Sequence, residues 1–152
     1  MPSPLFTVTD ASSATMNQIS YSNVNAGSSG AVVPLLFWNN LGGTTTLPDA
    51  VQVSITTKTF NGYYGAPDNA TNGLEIVTQT ILTVQCTSQD DPTYTPIGGP
   101  VTWPISDGSE GQGIISGAIG GTFAYVNTQI VAPPGVSAGP AAFLIRLGYM
   151  YS

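Results

Sequence analysis

Leu74-Glu75-Ile76-Val77-Thr78-Gln79-Thr80-Ile81-Leu82-Thr83-Val84-Gln85-Cys86 alternates along its length. Leu74, Ile76, Leu82, Val84 and Cys86 share one parity with Thr78 and Thr80. Glu75, Gln79, Thr83 and Gln85 hold the other, diluted by Val77 and Ile81. A period of two puts one set on a core face and the other toward water, so the stretch is expected to be one long strand. Residues 50–60 behave in the same way, with Val51, Val53 and Ile55 inward and Gln52, Ser54 and Thr56 outward. The same reading predicts strands at 5–9, 17–22, 31–38, 101–103, 113–119, 122–131 and 141–151.

Turn chemistry separates these segments. Gly27-Ser28-Ser29-Gly30, Asn40-Leu41-Gly42-Gly43, Pro67-Asp68-Asn69, Gly98-Gly99-Pro100 and Pro133-Pro134-Gly135 supply the positive φ angles and fixed φ values that reverse a chain. No apolar pattern at i, i+3, i+4, i+7 persists over three turns, so helix is expected to be minor. Eight or nine short strands with regular punctuation predict an all-β fold, an antiparallel β-sandwich of immunoglobulin-like or jelly-roll-like type. Residues 1–25 bring only Leu5, Phe6, Val8, Ile19 and Tyr21 to pack, and read as an N-terminal arm. Residues 26–152 read as the sandwich domain.

Composition closes several functional classes. The 152 residues hold two cations, Lys58 and Arg146, against eight acids, for a net charge of −6. Such a chain has no basic stripe to lay along phosphates, so no nucleic-acid partner is expected. Histidine is absent, which excludes Ser-His-Asp and Cys-His catalysis, and Cys86 is the only cysteine, which excludes an intrachain disulfide framework. The longest apolar runs, near residues 31–38 and 141–147, fall short of the ~20 residues that span a bilayer, so no membrane partner is expected. The N-terminus carries neither a basic region nor an apolar run, and no signal peptide is expected.

The end of the chain carries a resemblance. Phe123, Tyr125 and Asn127 alternate, Ile130-Val131-Ala132-Pro133-Pro134-Gly135 follows, and Phe143-Leu144-Ile145-Arg146-Leu147-Gly148-Tyr149 closes. This pattern resembles the last two strands of immunoglobulin-like sandwiches, and it implies architecture only. The whole chain, small, poor in charge and rich in Thr, Gly and Asn, is similar in character to bacteriophage virion accessory proteins of the capsid decoration or cement type. That resemblance implies a structural protein of the virion, assembled in the host cytoplasm, with the major capsid protein or another virion protein as partner.

Few residues offer chemistry. Asp90-Asp91-Pro92 is the one adjacent carboxylate pair, and neighbours on an extended chain point to opposite faces. That suits a turn better than the two carboxyls about 5–9.5 Å apart that glycosidases require. Asp107 and Glu110, in Asp107-Gly108-Ser109-Glu110-Gly111, have oxygen ligands for calcium but not the EF-hand spacing, so a solvated loop is the plainer reading. Lys58 reads as an outward strand lysine that discourages edge pairing, and Cys86 as a small buried hydrophobe. Arg146 interrupts an apolar strand and has either solvent or an acid to face. Trp38 and Trp103 read as core. Asn69-Ala70-Thr71 matches the glycosylation acceptor pattern. No catalytic residue, cofactor or metal is expected.

What remains is binding. Phe60-Asn61-Gly62-Tyr63-Tyr64-Gly65 reads as a loop with two adjacent tyrosines. Tyr63, Tyr64, Phe6 in the arm and Ile97 before the Gly98-Gly99-Pro100 turn are the expected interaction residues. The expected function is that of a non-enzymatic capsid decoration or cement protein, binding and stabilising a protein lattice through loops, strand edges and the arm. It is expected to work as a homo-oligomer, with a trimer favoured. The alternative is a carbohydrate-binding β-sandwich module that stacks sugars on exposed tyrosines.

Overall fold

Ala124, Val126, Thr128 and Ile130 are buried, while Phe123, Tyr125, Asn127 and Gln129 between them face outward, and this alternation makes β7 (Thr122–Ile130) the centre of the larger sheet. In the computed structural model, which describes residues 2–60, 73–137 and 141–151, β7 pairs with β2 (Val33–Asn39) on one side and β4 (Leu82–Cys86) on the other. Beyond β2 lies β1 (Phe6–Thr9), and beyond β4 lies β5 (Thr95–Ile97), giving the order β1-β2-β7-β4-β5. The second sheet has the order β6 (Trp103–Pro104), β3 (Ala50–Thr59), β8 (Phe143–Tyr151). Every pairing is antiparallel. The protein is an eight-stranded all-β sandwich, 41% strand and 6% helix, far from the ~30–35% helix of an average domain.

Register sets the core. Leu35, Val126 and Cys86 lie in one row across the large sheet, and Ile130, Leu82 and Ile97 in another. They close on Val53 and Ile55 of the small sheet, all within one buried cluster. Each such side chain contributes roughly 1.5–3 kcal/mol on burial, so these rows are the main adhesive between the layers. Pro34 is tolerated inside β2 because β1 pairs only with Leu36–Asn39, which leaves the start of β2 bonded to β7 alone among the strands.

The structure corrects several expectations. Residues 74–86 are not one strand. Leu74–Thr78 is a five-residue helix, α1, and only Leu82–Cys86 extends. Within α1 Ile76 packs against the core and Val77 lies against the Gly98-Gly99 turn, so neighbouring apolar residues of opposite parity are both used by the helical turn. Thr80, at φ 49, then redirects the chain into β4. In β3 a bulge between Val51 and Ser54, with Gln52 at φ 52, shifts the parity, so Ala50 rather than Val51 points inward with Val53. β7 and β8 do not form the hairpin of the immunoglobulin-like pattern. Both sides of β7 are occupied, and the chain crosses to the other sheet.

Residues 113–119 yield only an isolated bridge between Ala50 and Ile115. There Gly113 sits at φ 77, and Gly117 passes so close to the Leu47 carbonyl that a Cβ would collide with it. Residues 17–22 form no strand either. Ile19 and Tyr21 pack against the core by their side chains, and Tyr21 reaches both sheets, its hydroxyl 2.6 Å from Thr128 Oγ1 and its ring stacked 5.9 Å from Phe143. The segment read as an arm, 1–25, thus supplies an edge strand and part of the packing between the layers.

Candidate functional site

The carboxylates hold the fold together. Asp91 is buried and accepts hydrogen bonds from the Cys86 backbone N–H (3.0 Å), Gln89 Nε2 (2.9 Å) and Trp103 Nε1 (2.7 Å). It therefore fastens β4 of the large sheet to β6 of the small one. Its neighbour Asp90 turns outward at φ 61, so the pair diverges as expected of adjacent residues. Asp107 Oδ1 accepts from Ser109 N and Oγ, and Oδ2 from Ser116 N and Thr122 Oγ1. Partial burial raises the Asp107 pKa, but hydrogen bonds from Ser109, Ser116 and Thr122 outweigh it and hold the carboxyl below its ordinary value.

Asp10 accepts from Ser12 and the Ala14 N–H, Glu75 from Ser137, and Asp49 from the Gly117 N–H. Of the seven acids in the described residues, these five serve local structure. Asp90 and Glu110 remain, both exposed and without a hydrogen bond from any described residue. Cys86 is buried, with Sγ near Ser88 Oγ and the Ser106 carbonyl, and burial pushes its thiol upward, away from thiolate chemistry. Among the described residues no three His, Cys, Asp or Glu converge on a point where a metal would sit. Within the same residues no helix is long and apolar enough to cross a membrane.

The outer face of the small sheet is different. The inward parity of β3 takes Val53, Ile55 and Thr57, which leaves Ser54, Thr56 and Lys58 outward. Thr56 pairs with Arg146 and Lys58 with Leu144, so the chain's two cations are diagonal neighbours on one face. Beside them lies a half-open depression of about 240 Å³, lined by Ser54, Thr56, Gly99, Thr102, Arg146 and Gly148. Thr56 Oγ1 is bonded to the Gly99 and Val101 carbonyls, which fixes the β5–β6 turn as the wall of the depression. Among the described residues nothing pairs with the Arg146 guanidinium. Leu144 (39% exposed), Met150 (57%) and Val101 (46%) flank it as apolar surface.

The expected interaction residues fall in different places. Tyr63 and Tyr64 lie outside the described residues, as does the Asn69 acceptor motif. Phe6 is half-buried on β1, its ring 4.7 Å from Tyr149 of β8, where it closes one side of the sandwich. Ile97 is fully buried, because its place opposite Leu82 turns it inward, so it offers no contact surface. Trp38, read as core, is half-buried on the outer face of the large sheet, beside Phe123 and donating to Thr9 Oγ1. The face around Arg146 was not among the expected sites. Its signal was present in the matching parity of Lys58 and Arg146, readable only once β3 and β8 are known to pair. No family model matches the chain, and a search of curated proteins finds no match.

Proposed function

We propose that this chain is a non-enzymatic structural protein that works by binding other protein surfaces, as a virion decoration or cement protein of the capsid does. One observation carries the reading. The small sheet presents a face of exposed apolar residues around an arginine that nothing pairs among the described residues, and within those residues it ends in β8, a nine-residue edge strand without proline. The other three sheet edges are short, at four, three and two residues, and two of them carry Pro96 and Pro104. Short edges and prolines discourage pairing, and a long open edge invites it. Five of the seven carboxylates among the described residues are engaged in local structure, which favours binding over turnover.

A homo-oligomer, with a trimer favoured, seated on a capsid or another virion protein lattice fits this surface and the low charge of the chain. The test is copurification with assembled capsids, paired with sedimentation at micromolar concentration. Retention on the particle and an oligomeric boundary are the expected results. A monomer that binds no particle and is retained on a glycan array would overturn the reading in favour of sugar recognition.

A further inference from the structure

We propose that the face around Arg146 is the seat for a second copy of this chain, whose Glu110 loop enters the depression and presents its carboxylate to the guanidinium. The inference rests on the homo-oligomer part of the reading above. Its premise is an inventory of charge. Five of the seven described acids accept hydrogen bonds inside the molecule, and the two that do not, Asp90 and Glu110, sit on neighbouring loops. Those loops meet where Ser88, Gln89, Asp90, Gly111 and Gln112 line a second, smaller depression of about 120 Å³. Arg146, which no described residue pairs, lies on the outer face of the small sheet. One molecule thus carries an acidic lip and a basic seat, complementary to each other and at different places on its surface.

A two-fold contact would make the Arg146–Glu110 pair twice, once in each direction, while a head-to-tail contact makes it once and leaves a seat and a loop free for the next copy. A head-to-tail contact also generates rings when its rotation closes, as a trimer requires. The chemistry suits the seat. An arginine fork accepts a carboxylate in bidentate geometry, and Ser54 and Thr102 place hydroxyls around the same depression. Exposed ion pairs contribute little affinity by themselves, so Leu144, Met150 and Val101 supply the apolar contact and the Arg146–Glu110 pair fixes the register. Gly148 keeps the floor open. A Cβ there would stand 3.7 Å from Ser54 Oγ, an ordinary contact, and Gly148 has no positive φ, so a larger residue fills the seat without straining β8.

The experiment is a charge swap read by sedimentation velocity at moderate salt on the full chain. Arg146→Glu and Glu110→Arg are each expected to weaken self-association by about tenfold or more, and the double variant to recover most of the loss. Gly148→Val is expected to weaken it without any change of charge, with circular dichroism confirming the same β content in every variant. Association unchanged in both single variants, or a double variant no better than either, overturns the proposal. A wild-type monomer also overturns it. If that monomer still binds particles and Arg146→Glu abolishes the binding, the seat belongs to the lattice, and the structural reading stands without this inference.

Discussion

The two sheets share one core but are built on different terms. In the five-stranded sheet three strands, β2, β7 and β4, are paired on both sides, and the edges are short. In the three-stranded sheet only β3 is paired on both sides among the described residues, a bulge interrupts its register, and the nine residues of β8 pair with β3 alone. The larger sheet is organised for cohesion. The smaller one keeps its inner face for the core and turns an outer face outward that carries the exposed Arg146. The difference shows that a charge-poor chain can concentrate its strand pairing in one layer and leave the longer edge and the exposed arginine to the other.

Substitutions that break this comparison rank by how far they reach across the layers. Asp91→Ala is expected to cost the most, about 3 kcal/mol, because it orphans the Cys86 N–H, Gln89 Nε2 and Trp103 Nε1 donors and cuts the tie between β4 and β6. A urea midpoint measured against wild type checks it. Phe6→Ala should lose about 2 kcal/mol by emptying the half-buried contact with Tyr149 at the closed side. Deleting residues 1–9 should lose more than that single side chain, since β1 is a paired strand of the large sheet.

Asp107→Asn should cost about 1–2 kcal/mol at neutral pH. The hydrogen-bonded carboxylate has a folded pKa below its ordinary 3.8, so its stabilisation is present above that value and disappears as pH falls through the lower folded value. Acid titration of the unfolding free energy should therefore be flatter in the variant.

Tyr21→Phe should cost about 1 kcal/mol, the net worth of its bond to Thr128. Burial raises the Tyr21 pKa to about 12, against 10 for a free phenol, with the Thr128 bond working the other way. The folded state therefore keeps its proton where the unfolded chain loses it, and stability should decline as pH rises from 10 toward 12. The phenylalanine variant should show less of that decline. Arg146→Ala should change stability by less than about 0.5 kcal/mol, as expected of an exposed side chain without an internal partner. A large loss there would mean that the outer face also serves cohesion.

Much of the fold was legible because alternation and turn chemistry are local. β2, β3, β7 and β8 stand within two residues of their expected bounds, and the Gly98-Gly99-Pro100 turn stands where it was expected, although β5 before it was not. Residues 74–81 were misread because a short helix and a strand both accept Leu74 and Ile76, and only contacts with distant residues decide between them. Gly98 packs its backbone on the Val77 carbonyl there, an approach that a sequence does not display. Ile97 was misplaced for the same reason. Its exposure depends on Leu82 lying opposite, a pairing between strands rather than a property of the residue. The face around Arg146 stayed hidden because β3 and β8 are some ninety residues apart, and two isolated cations become a pair only in the register of Thr56 with Arg146.

The two tryptophans divide between the layers in a way that suits spectroscopy. Trp38 lies on the large sheet with its indole N–H on Thr9 of β1, and Trp103 lies on the small sheet with its indole N–H on Asp91. One chromophore therefore reports whether β1 is docked, and the other whether the layers are fastened. Because neither indole is shared between these events, a pair of single-tryptophan variants would time edge detachment and layer separation independently, from the emission of the protein itself.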